Sequence, residues 1–468
     1  MTPTPPADRS TTRSAAARTS ETGPRVGDLL ELSVGPVAHG GHCVARHEGR
    51  VVFVRHALPG ERVRARLTAV ARSSFWRADA VEVLEPSPDR VPSVWPSAGP
   101  GGVGGGELAH VSLVGQRRWK ADVVREQLTR LARLDLDGLG LDVVVEPAAG
   151  DDARGGLGWR TRVDLVAGRD GRAGMHGYRS HDVVRLTEVP IASVGATALL
   201  AREGVFSRRW RPGTRIEAVA PASGGPGVLL VDGAPWRHGR PDERPNARRV
   251  VNETVRVPVL AGVAGVVVPE DGVPVLELRV AAGGFWQVHD RAPETLVDAV
   301  LRAAAPDGAT GLAGAHVVDL YSGAGLLSVP LALAVGPTGS VTTVEGDARA
   351  VRDARRNTHD LGWVALHQGD VAETLDEVAG GADAPDVVVL DPPRTGAGAR
   401  VVDQVAATGA PRVVYVACDP AALARDVATF VGHGYRLEAL RAFDLFPMTH
   451  HVECVATLVR GPGPGAAR

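Results

Sequence analysis

The sequence predicts an α/β protein in three folded parts: a small N-terminal β-barrel, an α+β middle domain and a C-terminal Rossmann-like domain. Three observations carry this expectation. The chain has 468 residues, too many for one hydrophobic core, and its 44% hydrophobic and 23% charged content are ordinary globular values. From Val26 short alternating apolar runs follow one another at close spacing. From Phe285 onward the rhythm changes to strand, loop and helix, repeated, which implies a parallel sheet with crossover helices.

Residues 1–24 are Thr, Pro, Ser, Ala and Arg with little to bury, and a disordered tail is expected. Residues 25–86 contain L-L-E-L-S-V, G-H-C-V-A-R, R-V-V-F-V, E-R-V-R-A-R-L and A-D-A-V-E-V-L, five strand-like segments that suit a small barrel. Its outward positions are expected to carry Arg46, Arg50, Arg55, Arg62, Arg64, Arg66 and Arg77, with Phe53, Phe75 and Trp76 among them. Arginines interleaved with aromatics fit phosphate contacts and base stacking; a solvated face over core aromatics fits equally well. Residues 87–284 form the middle domain. Its Pro- and Gly-rich start leads to a helical segment near 113–134 whose exposed side is expected to carry Arg117, Arg118, Lys120, Arg125, Arg130 and Arg133. Mainly β-like runs follow. The Rossmann-like domain covers 285–460, with apolar strands at 317–320, 341–344, 387–390 and 413–416, and 461–468 is a loose tail.

Formal net charge is −2, and acidic residues prevail after residue 285 while the remainder is basic. A polyanion would therefore be held mainly by the first half. Three cysteines, Cys43, Cys418 and Cys454, offer neither a disulfide framework nor a CxxC pattern. The N-terminus lacks an apolar signal-peptide core, and the apolar run near 317–336 is interrupted by Asp319, glycines and Pro330. A cytoplasmic protein without membrane contact is expected.

The chemistry gathers at strand ends. V-V-D-L-Y-S-G-A-G-L-L-S (317–328) reads as a strand, a glycine turn and a helix. Gly323 and Gly325 let the backbone approach a ligand, and Asp319 can accept a hydrogen bond from it. Glu345 ends the next strand, where a carboxylate suits a ribose diol, and Asp370 in H-Q-G-D stands where an adenine edge would lie. Without a third glycine or a phosphate-cradling loop, this favours S-adenosylmethionine over a dinucleotide. Asp391-Pro392-Pro393-Arg394 stiffens a second strand end, and Arg394 there is expected to favour a nearby thiolate. Val413–Val416 runs into Ala417-Cys418-Asp419-Pro420, which delivers a thiol to the same edge. Glu453, inside the apolar run V-E-C-V-A-T-L-V, would have a raised pKa and serve as a general base if it faces a cleft.

Six ordered motifs, F-W-Q-V-H (285–289), D-L-Y-S-G-A-G (319–325), V-E-G-D (344–347), D-P-P-R-T-G (391–396), Y-V-A-C-D-P (415–420) and D-L-F-P-M-T-H-H-V-E (444–453), make the chain resemble the RNA uracil-5-methyltransferase family. The resemblance extends to the barrel, which looks like a TRAM domain. It implies S-adenosylmethionine contacts by Gln287, Tyr321, Glu345 and Asp391, with Cys418 as nucleophile and Glu453 as proton acceptor. It also implies a tRNA or rRNA substrate and a uracil C6 adduct that is methylated at C5. A monomer is expected. Many relatives carry four cysteines for an iron–sulfur cluster. Trp95, Val103 and Gly106 stand at three of those positions here and a residue near Val189 at the fourth, so no cluster is expected. His289 replaces a common Asn, and Ala417-Cys418-Asp419 replaces a commoner Ser-Cys-Asn. Two rival readings remain open: C5-methylation of another pyrimidine, and an RNA-binding or RNA-folding protein whose catalysis is secondary or lost.

Overall fold

The computed structural model describes residues 24–70, 75–378 and 384–461. Apart from Pro24 and Gly461, the two expected tails lie outside the described residues. Strands β1 (Leu29–Ala38), β2 (His42–His47), β3 (Arg50–Arg55), β4 (Arg62–Val70) and β5 (Phe75–Glu85) close into a barrel in the order β1-β2-β3-β5-β4. Alternation puts Leu32, Val52, Val54, Val63, Ala65, Leu67 and Ala78 inside. Arg62 and Arg64 do point outward, where Glu31, Glu82 and Glu85 pair with them. Two expected surface residues are instead buried. Trp76 is 6% exposed and belongs to the barrel core, and Arg55 is 5% exposed with its guanidinium 3.4 Å from the Tyr178 ring centroid.

Helix α1 (Leu113–Arg130) starts at Ser112, whose hydroxyl accepts the Gly115 N–H at 3.1 Å. Sequence periodicity put Lys120 on its exposed side. Lys120 is fully buried and forms an ion pair with Asp444, because a partner 324 residues away supplies the charge that burial requires. Four arginines of this face are paired as well: Arg117 with Asp152, Arg118 with Asp89, Arg125 with Asp122 and Asp142, and Arg130 with Glu126.

Next come β6 (Val145–Pro147), then β7 (Arg162–Ala167), β8 (Ala173–His176), β9 (Val183–Arg185), α2 (Val194–Arg202), β10 (Arg215–Val219), β11 (Val228–Val231), β12 (Ala234–Arg237) and β13 (Arg240–Pro241). Except for β6, these strands form an antiparallel sheet in the order β13-β12-β11-β10-β7-β8-β9, and β14 (Val250–Arg256) pairs with β15 (Val275–Ala281) as a separate ribbon. The core under the sheet includes Trp95, Ala98, Val103, Trp159 and Val189. Gly106 lies against the Trp95 face, where an added Cβ would sit 2.8 Å from the ring. Among the described residues no group of three or more His, Cys, Asp or Glu is arranged to hold a metal ion.

The C-terminal part contains α3 (Ala292–Ala304), β16 (His316–Leu320), α4 (Ser328–Val335), β17 (Ser340–Glu345), α5 (Ala348–Asn357), β18 (Val364–Gln368), α6 (Val371–Val378), β19 (Val387–Leu390), α7 (Gly398–Ala407), β20 (Arg412–Ala417), α8 (Pro420–Gly432), β21 (Tyr435–Asp444) and β22 (Glu453–Arg460). Among the described residues its sheet runs β18-β17-β16-β19-β20-β22-β21-β6, with β22 antiparallel to both neighbours. The added edge strand β6 pairs in parallel with β21. The apolar side of α1 packs there too, so residues grouped by rhythm with the middle domain help to build this core. Strands β16, β19 and β20 are buried on both faces, which explains their continuous valine and leucine runs. Strand order reverses between β16 and β19, and the crevice beyond that point is where such sheets bind ligands. No helix among the described residues is long and apolar enough to cross a membrane.

Candidate active site

Register assembles the site. Leu320 pairs with both Val344 and Leu390, Leu390 with Tyr415, and Ala417 with Cys454. Tyr321, Glu345, Asp391, Cys418 and Glu453 therefore occupy neighbouring strand ends along one edge. Gly323 joins them, its N–H donating to Glu345 Oε2 at 2.9 Å. Gln287 and Asp370 stand outside this row. Gln287 is buried in the segment between β15 and α3, which is held by the Thr161 N–H on Val288 O (2.8 Å) and the Asp290 N–H on Trp159 O (3.0 Å). Asp370 is exposed and caps α6 through the Ala372 N–H at 2.9 Å.

On the β16 side, Tyr321 has φ 63° and Gly323 φ 57°, so the chain turns through the left-handed region twice. A Cβ at Gly323 would meet nothing within 4 Å, leaving that backbone open to a ligand. Glu345 receives the Asp347 N–H at 2.6 Å on its other oxygen, which fixes the carboxylate plane. Beneath the turn Asp319 is 0% exposed. Burial pushes its carboxyl up to about 7, opposed by the Ser328 hydroxyl, which donates at 2.5 Å. Asp319 Oδ1 and Ser322 Oγ are buried without a protein partner. Such orphaned polar atoms beside an open glycine turn fit a polar ligand with hydrogen-bonding groups.

On the β20 side, the Cys418 thiol is half-buried. Burial pushes it up to about 12, Glu453 adds to the rise, and Arg394 opposes it. Arg394 favours the thiolate as expected, but burial and the nearby carboxylates outweigh this one exposed guanidinium. Glu453 is 3% exposed, and burial followed by Asp391 holds its carboxyl well above the ordinary range. Burial alone pushes Asp391 up to about 7. A thiol and two carboxyls with displaced pKa values at adjacent strand ends mark this edge as the candidate chemical site.

Several residues that sequence reasoning missed hold this edge in place. Lys120 also donates to Phe446 O at 3.1 Å, and Gln116 receives the Met448 N–H at 2.7 Å, so α1 fixes the loop that leads into Glu453. Met448 adopts φ 70° there. Asp426 accepts the Tyr415 hydroxyl at 2.5 Å and the Ala397 N–H at 2.8 Å, which anchors the turn after Asp391-Pro392-Pro393-Arg394. His289 donates to Asp151 at 3.0 Å while stacked on Trp159, and Arg154 bridges Asp151 and Asp290.

A family model described as tRNA (Uracil-5-)-methyltransferase matches residues 373–461, and one described as TRAM domain matches residues 25–81. An uncharacterized RNA methyltransferase of Streptomyces coelicolor is 44% identical over 460 residues, covering 95% of this chain and 96% of its own length. The chain belongs to the RNA uracil-5-methyltransferase family. A second relative, an uncharacterized RNA methyltransferase of Bifidobacterium longum, is 42% identical and covers 92% of this chain and 96% of its own. The crystal structure of Pyrococcus abyssi tRNA (uracil-54, C5)-methyltransferase in complex with S-adenosyl-L-homocysteine shares the fold. Its TM-score is 0.64 at 20% identity, covering 92% of this chain and 100% of that one. The methyltransferase uses S-adenosylmethionine and acts on RNA, and the open turn at Gly323 with the orphaned Asp319 and Ser322 atoms suits that cofactor.

Proposed function

We propose that this methyltransferase forms 5-methyluridine in tRNA or rRNA, working as a monomer in the cytoplasm. The observation that carries the reading is the placement of Cys418 between Asp391 and Glu453, both of which raise its pKa, at adjoining strand ends. Tyr321, Gly323, Glu345, Asp370, Asp391 and Gln287 would hold S-adenosylmethionine, which supplies an electrophilic methyl group on a sulfonium. The target base leaves its stack to reach the site. The barrel favours RNA on the same side of the argument: Phe53 and Phe75 meet edge to face at 5.2 Å, and the Arg77 guanidinium lies 4.8 Å from the Phe75 ring centroid.

Uracil C5 is too weak a nucleophile to take a methyl group unaided. Cys418 gives its proton to solvent and its sulfur adds to C6, which pushes the C5=C6 pair toward O4 and makes C5 nucleophilic. Arg394 is within electrostatic reach of the sulfur and offsets the charge that forms there. After C5 has gained the methyl group, Glu453 removes the C5 proton. The C5=C6 bond re-forms and the C6–S bond breaks, returning the Cys418 thiolate. A carboxyl with a raised pKa accepts a proton more readily than an ordinary one, which suits Glu453 to this step.

The test is direct. Transcribed tRNA and rRNA are incubated with the enzyme and S-adenosylmethionine, and modified nucleosides are mapped by mass spectrometry. 5-Methyluridine in one class of RNA is expected. 5-Methylcytidine would move the reading to another pyrimidine, and RNA binding without any methylation would leave a binding protein.

A further inference from the structure

The N-terminal barrel touches the residue after Cys418 and the loop that leads to Glu453. Its β1–β2 turn is His39-Gly40-Gly41, with φ 90° at Gly40 and 78° at Gly41. His39 Nε2 lies 2.8 Å from Asp419 Oδ2, in the residue that follows Cys418. Asp419 Oδ1 caps α8 by accepting the Ala422 N–H at 2.8 Å, so both carboxylate oxygens are engaged. Two residues along, a Cβ on Gly41 would approach the Cβ and ring atoms of His450 to 3.2 Å, so only glycine lets the turn sit against the loop that leads to Glu453. One barrel turn thus rests on the residue beside Cys418, 380 residues away in sequence, and on the loop before Glu453.

We infer that His39, from the RNA-binding barrel, is a positioning residue for the reaction at Cys418, acting through Asp419. The inference rests on the proposed uridine chemistry. Asp419 holds the backbone at the end of β20, and its carboxylate also raises the Cys418 pKa. A hydrogen bond from His39 fixes that carboxylate and draws its charge away from the sulfur. RNA that engages the barrel can thereby act on the nucleophile's surroundings through one contact.

His39 faces Asp419 and Arg425 of α8 and Glu126 of α1. Its hydrogen bond to Asp419 raises its pKa above 6.5, against burial and Arg425. Burial pushes Asp419 up, but hydrogen bonds from His39 and Ala422 more than reverse that. With His39 raised and Asp419 lowered, the ion pair is complete below the folded His39 pKa and weakens as pH rises through it. A falling limb of rate against pH, beginning above 6.5, is its signature.

The experiment uses the full chain with S-adenosylmethionine and RNA containing 5-fluorouridine, which has no C5 proton to lose and so traps the Cys418 adduct. Rates of adduct formation at saturating RNA, and RNA affinity by filter binding, are measured for wild type, His39→Ala and His39→Gln. His39→Ala should slow adduct formation about tenfold while RNA affinity changes less than about twofold. His39→Gln keeps a neutral donor without a titrating ring, so at every pH it should hold the rate to which wild type falls above the His39 pKa, faster than His39→Ala, with no falling limb. A His39→Ala rate equal to wild type overturns the inference, as does a loss confined to RNA affinity. A wild-type protein that forms no adduct overturns the uridine chemistry as well, which separates the two failures.

Discussion

The two ends of the C-terminal sheet differ in how their polar groups are satisfied, and that difference is what marks one of them as the candidate site. At the N-terminal ends of the parallel strands lies a cavity of about 650 Å³ lined in part by Gly314, Asp386, Arg412 and Glu438. Its charged groups are engaged within the protein: Arg412 and Arg436 both pair with Glu438, Asp386 accepts the His316 N–H at 2.8 Å, and Arg460 lies over the Tyr435 ring. At the opposite end, Asp319 Oδ1 and Ser322 Oγ have no protein partner, and Asp319, Asp391, Glu453 and Cys418 all have raised pKa values. Burying unpaired ionisable groups costs stability, and a fold retains that cost where a ligand or reaction needs the groups. The cavity at the N-terminal ends fits a structural role, and the under-satisfied edge is the candidate chemical site.

The strongest way to break this comparison is at the thiol. Cys418→Ala should lower methylation by at least about 10⁴-fold, because no other group at the edge can add to C6. S-Adenosylmethionine binding, followed by calorimetry, should persist. Turnover within tenfold of wild type would end the assignment of Cys418. Glu453→Gln sharpens the comparison differently, since it separates addition from elimination. Turnover should fall about 10²–10⁴-fold, and a covalent RNA–protein species should build up on denaturing gels with ordinary RNA. Loss of turnover without that species would place Glu453 before methyl transfer rather than after it.

The candidate site was legible where chemistry and local pattern coincide. Strands β16, β19 and β20 are buried on both faces and read as unbroken apolar runs, so their ends, with Asp319, Asp391 and Cys418, could be placed from sequence. What failed was long-range pairing. Lys120 looked exposed because helical spacing assigns a lysine to water by default, and nothing near it announces Asp444. Arg55 was assigned outward for the same reason, although Tyr178 of a distant loop covers it. Strand β6 is three residues long, too short for periodicity to assign it to the C-terminal sheet. The His39–Asp419 contact has no sequence signature, since a turn histidine and a helix cap are each unremarkable alone.

Asp319 gives a test in which stability and function move in opposite directions. Its unfolded carboxyl ionises near 3.8, whereas the folded one holds its proton up to about 7. The folded state therefore binds more protons between these values, and stability falls as pH rises across that window. At pH 8 the penalty is nearly complete, on the order of 4 kcal/mol. Asp319→Asn removes it. The variant should melt higher than wild type at pH 8, differ little at pH 4, and bind S-adenosylmethionine more weakly. Equal melting curves at both pH values would mean that Asp319 is not held under strain.

The smallest effect is expected at the opposite end, and it is the control on which the comparison depends. Arg412 donates to Ala303 O at 3.1 Å and to Glu438 at 2.9 Å, joining β20 to α3 and β21 at the large cavity. It lies on the same strand that ends in Cys418, so any signal carried along β20 should register here. Arg412→Ala removes one partly buried ion pair and one hydrogen bond, a loss of about 1 kcal/mol in chemical denaturation. Because the strand is clamped on both sides by β19 and β22, that loss should not reach its far end. Turnover and cofactor affinity should stay within about twofold of wild type, the scale expected when no group near the reaction is altered. A tenfold fall in turnover with normal folding would show that the two ends are coupled, and the satisfied end would then have to be counted as part of the machinery.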